Sequence, residues 1–366
     1  MGESPSRSAD ASTGGSRVTT SHARPAGAVA PTETLTDIPS PTGPQFGPGS
    51  GMGGGGGLPR RRAFGAEPAF RAVTLAAGAT ILIIIVAIAI FLIAKAAPAL
   101  RANTANFFTA KEWFPNEGRF GIAALAFGTV LTAVIALAAA VPVALGIALY
   151  LSHYAPRRVA TTLGFLIDLL AAVPSVVFGL WGREVFIHPV DDFAAWLNRY
   201  FGWIPIFGSE GPYGRSVMLG SLVLAIMVLP IVTSLSREVF TQTPKANEEA
   251  ALALGATKWE MIRTAVLPYG RPGIVAAVML GLGRALGETI ALAMTLGATF
   301  GISFNLIQSG GNSIAANIAN GFGEASDLGR GALIASGLVL FAITLVVNMT
   351  ARAIIYRRRE FTEVAA

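Results

Sequence analysis

Charge disappears from this chain over long stretches and returns over short ones. Residues 72–94 contain ILIIIVAIAIFLI and no charged side chain, and further apolar runs lie at about 121–150, 159–181, 217–236, 272–300 and 331–356. At 1.5 Å of rise per residue, about 20 helical residues cross a hydrocarbon core of ~30 Å, so each run predicts a transmembrane helix. Pro142, Pro174 and Pro230 interrupt three of them, which membrane helices tolerate when neighbours re-satisfy the freed backbone groups. Between the fourth and fifth runs a polar connection of about 35 residues carries the pattern of two short helices. Elsewhere, DFAAWLNRYFGW at 192–203 sets Phe193, Trp196, Leu197, Tyr200 and Phe201 on one helical face, as an interfacial helix or an aromatic anchor would. In 301–330, Ile314, Ile318 and Phe322 share helical spacing and predict a short re-entrant or surface helix.

Before the first run, residues 1–58 are rich in Ser, Thr, Gly, Pro and Ala, with five consecutive glycines at 53–57 and no spaced apolar set. Such a composition does not offset the entropy of ordering, so 1–62 is expected to be a disordered tail. No basic patch with a short apolar core opens it, and the small residues Ala96, Ala97 and Ala99 follow a run too long for a signal core. The expected organisation is thus a tail at 1–62, a first transmembrane helix and outer loop at 63–120, a transmembrane domain at 121–356 and a C-terminal tail at 357–366. Fold class is all-α integral membrane protein with six transmembrane helices.

Composition agrees. Of 366 residues, 53% are hydrophobic and only 13% charged, and the mean hydropathy of +0.59 is wrong for a soluble chain. There is no cysteine, which removes disulfides, thiol nucleophiles and cysteine metal sites, and three scattered histidines (His22, His153, His188) offer no metal centre. An intramembrane hydrolase would need a nucleophile with its base, or a metal cluster, inside the spans, and no such set stands out. The net charge of +6 reflects topology rather than nucleic acid, because Lys and Arg gather at span ends. Fourteen lie on the side shared by both termini, among them Arg60 to Arg62, Arg157, Arg158 and Arg357 to Arg359, against eight on the other. Both termini are therefore expected to be cytoplasmic.

The connection between runs four and five holds the most information. Thr243 and Pro244 offer an N-cap and a first-turn proline, NEEAALAL runs into Gly255 as a left-handed stop, and Thr257 with Glu260 has capping-box spacing. The second helix would carry Trp259, Ile262 and Val266 on one face and end at Pro268. Either a groove on a partner or the protein's own cytoplasmic face could receive such a hairpin. Glu249, Ala250 and Ala251, then Gly255, then Leu267 and Pro268 resemble the EAA loop of binding-protein-dependent ABC importer permeases, with Ala265 where isoleucine is usual. The resemblance implies that 243–268 docks into a cleft on an ATP-hydrolysing subunit. The chain has no Gly-x4-Gly-Lys-Ser/Thr phosphate loop. It is expected to be a non-catalytic transport subunit without cofactor, ATP and Mg being bound by the partner ATPase.

A narrower resemblance covers about 70–360. DLLAAVPSVVFGLWG, SREVFTQTP and the run from EEAALALGATKWEM to LGRALGETIALAM are similar to the PstC-type permease family of phosphate-specific ABC importers. That likeness implies a type I (MetI-like) permease core in the bacterial plasma membrane, importing inorganic phosphate. It also implies a second permease (PstA-type), an ATPase dimer (PstB-type) and an extracytoplasmic binding protein (PstS-type). A permease for another oxyanion such as sulfate or molybdate is the alternative. Within run five, Arg284 and Glu288 fall four residues apart, on one face of a continuous helix. Each charge costs about 2.5–3.5 kcal/mol at a helix centre, while Ile, Leu, Val and Phe return about 0.3–0.6 each, so this helix sits poorly in lipid alone. Its charged face is expected to meet a wet pathway, where a planar guanidinium suits an oxyanion, or else to form a structural ion pair. The resemblance favours the pathway. Asp168 is the third intramembrane charge, expected either to pair with Arg284 or cap the broken backbone at Pro174, or to gate substrate.

Overall fold

The computed structural model describes residues 66–363. The expected 1–62 tail lies outside the described residues, as do the last three of the 357–366 tail. The helices are α1 (Ala66–Ala102), α2 (Ala123–Leu149), α3 (Arg157–Ala171), α4 (Ser175–Trp181), α5 (Ile187–Phe201), α6 (Val217–Thr241), α7 (Lys245–Ala253), α8 (Lys258–Met261), α9 (Leu267–Gly287), α10 (Ile290–Thr295), α11 (Ile314–Gly321) and α12 (Asp327–Glu363). Between α1 and α2 the strands β1 (Trp113–Phe114) and β2 (Arg119–Phe120) pair antiparallel.

Among the described residues five helical segments are long and apolar enough to cross a membrane: Pro68–Ala102, Ala123–Tyr154, Val217–Thr241, Lys258–Gly287 and Asp327–Ala353. The sixth candidate is a broken pair, Arg157–Ala171 and Ser175–Phe201, bent by 89°, the geometry of a broken span or a re-entrant loop. The run at 159–181 is therefore not one straight span. Pro174 has no N–H to continue the ladder and pushes the residue before it out of helical geometry. Pro142, Pro230 and Pro272 instead lie inside α2, α6 and α9 without breaking them.

The run at 272–300 differs too. A π-helical turn, Ile262–Val266, joins α8 to α9, so one rod runs from Lys258 through Pro268 to Gly287. The expected stop at Pro268 does not occur. The Leu267 amide bonds the Ile262 carbonyl five residues back, and the wider turn accommodates the proline ring directly after it. The chain then unwinds at Glu288, forms α10 and returns extended to the loop before α6. There Gly297 N–H donates to Gly310 O and Gly310 N–H to Arg215 O.

The core is α2 against α6 with α9 laid across both. Ala133, Ala136, Ala140 and Ala144 are buried on α2 beside Val223, Leu224, Val228 and Val232 of α6. Small residues let the backbones approach, which packing within lipid requires in place of hydrophobic burial. A Cβ on Gly281 would lie 2.8 Å from a Val228 methyl and 3.0 Å from one of Val232. Hydroxyls inside the bundle bond back along their own helices, Thr129 to Leu125 O, Thr132 to Gly128 O and Thr233 to Leu229 O, which satisfies them where water is absent. Helix α1 is peripheral: its side chains from Ile81 to Ile88 are exposed, and it meets α12 where Ala99 packs against Gly331.

Candidate functional site

Arg284 lies in the last turn of α9, one turn beyond the close contact of Gly281 with the middle of α6. It is half-buried. Beside it a cleft of ≈ 510 Å³ opens between α6, α9 and α12. Ile231, Met279 and Leu280 give it apolar walls, and its polar groups are Arg284, Asn348 and Arg352. No carboxylate of the described residues lines it.

Glu288 is not beside Arg284 on a helical face. Helix α9 ends at Gly287, Glu288 turns to extended geometry with ψ 126°, and its Oε1 accepts from the Ala291 N–H at 3.1 Å. The carboxylate, only 7% exposed, thereby caps the first turn of α10, where the exposed N–H groups favour negative charge. Arg284 and Glu288 form no ion pair. The four-residue spacing brings side chains together only while the helix continues, and here it stops between them.

Asp168 goes elsewhere again. Its Oδ1 accepts from Ser234 Oγ at 2.6 Å, which joins α3 to α6, and no bond to Arg284 or to the backbone at Pro174 is present among the described residues. The three intramembrane charges therefore occupy three separate settings. Arg352, within the last apolar run, and Asn348, one turn earlier, were not singled out by the sequence reading. A charge inside a 26-residue apolar run was the available signal.

At the end of the bundle where α2 and α6 finish, the predicted helix pair is present. Its first helix, α7, has Pro244 rather than Thr243 at the N-cap, and the Thr243 hydroxyl is buried without a hydrogen-bond partner. Gly255 adopts φ +85°, and Gly255 N–H bonds Leu252 O while Ala256 N–H bonds Ala251 O, the paired bonds of a left-handed helix stop. Thr257 and Glu260 form the capping box in both directions.

One side of the hairpin is fixed to the protein. Met261, Ile262 and Val266 are buried against Ala148 of α2 and Phe240 of α6, worth about 1.5–3 kcal/mol for each fully buried side chain. His153 Nε2 lies 3.5 Å from Glu248 Oε1, and the Lys258 ammonium sits 4.7 Å from the centre of the Tyr154 ring. The other side is open: Leu254 is 90% exposed, Trp259 is 55% exposed, and Glu249, Ala250 and Leu252 are exposed with them. Trp259 thus departs from the face it was expected to share with Ile262 and Val266. Ala251 is half-buried, Leu267 packs on the buried cluster, and Pro268 is exposed.

The opposite end carries α5, α11 and the loops. Phe193, Trp196, Tyr200 and Phe201 form an exposed aromatic row on α5, with Phe193 and Trp196 stacked at 5.8 Å. That helix begins earlier than the sequence suggested, at Ile187. Helix α11 takes in Ile314 and Ile318 of the expected helix and ends at Gly321, before Phe322; its Ser313 hydroxyl accepts from Ala316 N–H, and Ile314 N–H donates to Thr129 Oγ1 of α2 at 2.9 Å. A polar, uncharged cup of ≈ 270 Å³ lies here, with Thr299, Asn305, Gln308 and Asn312 on its wall. Nearby, Arg215 donates to Ala293 O at 2.7 Å, and burial together with Arg183 holds its guanidinium below the usual arginine range.

Comparison with known proteins gives a consistent set of likenesses. The profile of the binding-protein-dependent transport system inner membrane component family matches residues 140–360. The phosphate transport system permease protein PstC 2 of Mycobacterium tuberculosis is 49% identical over 295 residues, 79% of this chain and 91% of the relative. PstC of Mycobacterium leprae is 47% identical over 273 residues, 73% of this chain and 86% of that one. PstC of Xylella fastidiosa (strain Temecula1) is 41% identical over 292 residues, 79% and 90% of the two chains. Among solved structures, a bacterial ABC transporter involved in the import of the acidic polysaccharide alginate matches with a TM-score of 0.47 at 16% identity, covering 79% of this chain and 99% of that chain.

Proposed function

This chain belongs to the binding-protein-dependent transport system inner membrane component family, and from that premise we propose that it is the PstC-type permease subunit of an ATP-driven importer of inorganic phosphate. The observation that carries the substrate is the 49% identity over 79% of the chain to a permease named for phosphate transport. It is a multi-pass protein of the plasma membrane, and its termini and the 243–268 hairpin face the cytoplasm, as the Lys and Arg imbalance supports. The partners are a PstA-type permease, a PstB-type ATPase dimer that binds ATP and its Mg ion, and a PstS-type binding protein that delivers phosphate to the polar cup on the outer face. This chain transforms nothing covalently.

The hairpin is the seat for the ATPase. Its buried side ties it to α2 and α6, and its open side presents the exposed Leu252, Leu254 and Trp259 together with the carboxylates of Glu249 and Glu260. Exposed large apolar groups concentrated on one polar-rimmed element mark a contact surface. In the membrane, Arg284 is the anion contact. With Glu288 held by α10 and Asp168 by Ser234, its guanidinium is left to the cleft and can offer paired N–H donors to phosphate oxygens. Glu288 shapes the pathway by ending α9 one turn past Arg284.

The test is the four-component complex in proteoliposomes, scored for anion-stimulated ATPase activity and uptake. Phosphate is expected to stimulate both, and equal stimulation by sulfate or molybdate would overturn the assignment of substrate. Arg284→Ala is expected to lower phosphate uptake by tenfold or more, about the worth of one charge-assisted contact. Uptake unchanged by that substitution would remove Arg284 from the pathway.

A further inference from the structure

The cleft at Arg284 contains a second guanidinium that nothing so far employs. Helix α9 rises from the cytoplasmic hairpin and α12 descends towards the cytoplasm, so the two run antiparallel along the cleft walls. Arg284 stands about 25 Å up α9 from Leu267, whereas Arg352 is about 37 Å down α12 from Asp327, at 1.5 Å per residue. The cleft reaches down α9 as far as Ala276, two turns below Arg284. Its lining therefore descends from a guanidinium near the middle of the bundle to a second one closer to the cytoplasmic end, with the Asn348 amide one helical turn before Arg352.

Arg284 is half-buried and Arg352 exposed, and within the membrane two cations in one apolar-walled cleft lined by no carboxylate of the described residues are unfavourable unless something negative enters or water fills the space. Neither arginine forms an ion pair with an acidic group of the described residues. Topology does not call for Arg352, because Arg357, Arg358 and Arg359 already follow in the same helix. The amide adds chemistry that a cation lacks: Asn348 can donate to a charged oxygen and accept from a P–OH group, a donor that hydrogen phosphate carries and sulfate does not.

We propose that Arg352 and Asn348 form a second, inner station for the tetrahedral oxyanion, which receives it from Arg284 and releases it to the cytoplasm. The proposal rests on the importer reading above and adds two residues to its route. A spread of weak contacts suits passage, since an ion has to leave as readily as it enters.

The test uses the complete complex in proteoliposomes. Arg352→Gln is expected to assemble normally and lower phosphate uptake about tenfold, as loss of a charge-assisted contact would, with Arg352→Lys intermediate. A mere interfacial anchor would make Lys equivalent to Arg. The absence of cysteine from this chain provides a second readout. Arg352→Cys and Asn348→Cys are expected to react with an anionic methanethiosulfonate, and millimolar phosphate should slow that reaction relative to chloride at equal ionic strength. Val346→Cys, at an exposed apolar position of α12, should show no phosphate effect. Wild-type uptake in Arg352→Gln, or labelling that is absent or indifferent to phosphate, would overturn the inner station. Failure of the unsubstituted complex to import phosphate would instead overturn the importer reading itself.

Discussion

Glu288 shows how much turns on where a helix ends. In the letters it stands four positions after Arg284, and a helix continued through both would pair them; the structure ends α9 at Gly287 and assigns the carboxylate to α10. Its role as a cap separates experimentally from any role of its charge. Glu288→Gln keeps an acceptor oxygen and is expected to hold the melting temperature of the purified protein, whereas Glu288→Ala should lower stability by about 0.5–2 kcal/mol, the usual cost of a lost cap. Equal melting of the two variants would refute the cap. Sequence could identify Arg284, Glu288 and Asp168 as charges inside apolar runs, since bilayer energetics depends on residue type. It could not assign partners: Ser234 is 66 positions from Asp168, and such a contact exists only once α3 and α6 are packed.

Among the elements, the hairpin was the most legible, because caps and stops are local chemistry. Gly255 and the Thr257 capping box follow from residues within five positions of one another. What spacing could not give was the division of faces, with Ile262 and Val266 buried and Trp259 outside, or the passage through Pro268, which depends on a widened turn. Two substitutions probe the element separately. Leu254→Asp touches an almost fully exposed side chain and should change the stability of the chain by no more than about 0.5 kcal/mol, while abolishing co-purification of the ATPase. Gly255→Ala adds a Cβ that meets no neighbouring atom within 4 Å, so its cost is the left-handed backbone alone, about 1–2 kcal/mol for a side-chain-bearing residue. It should loosen the hairpin and weaken the same association. A full complement of ATPase in both variants would place docking elsewhere.

At the level of the whole molecule, hydropathy located the five long apolar helices of the described residues, yet it could not see that the run at 159–181 belongs to a helix pair bent by 89° or that the helix of run five begins inside the hairpin. Orientation can be measured directly. A reporter active only outside the cytoplasm should score positive when fused after Trp203 and negative when fused after Leu254, and the reverse pattern would invert the molecule. The bend and the uninterrupted rod have unequal mechanical meaning. From Lys258 to Gly287 the rod measures about 45 Å, with the proposed seat of the ATPase motor at one tip and Arg284 near the other. Tilting it by about 5° about the seat swings the guanidinium through roughly 3 Å, the length of one hydrogen bond. A stroke of the motor would thus grip or let go of cargo like a connecting rod, with the slack taken up at the joint formed by Glu288 and Thr289.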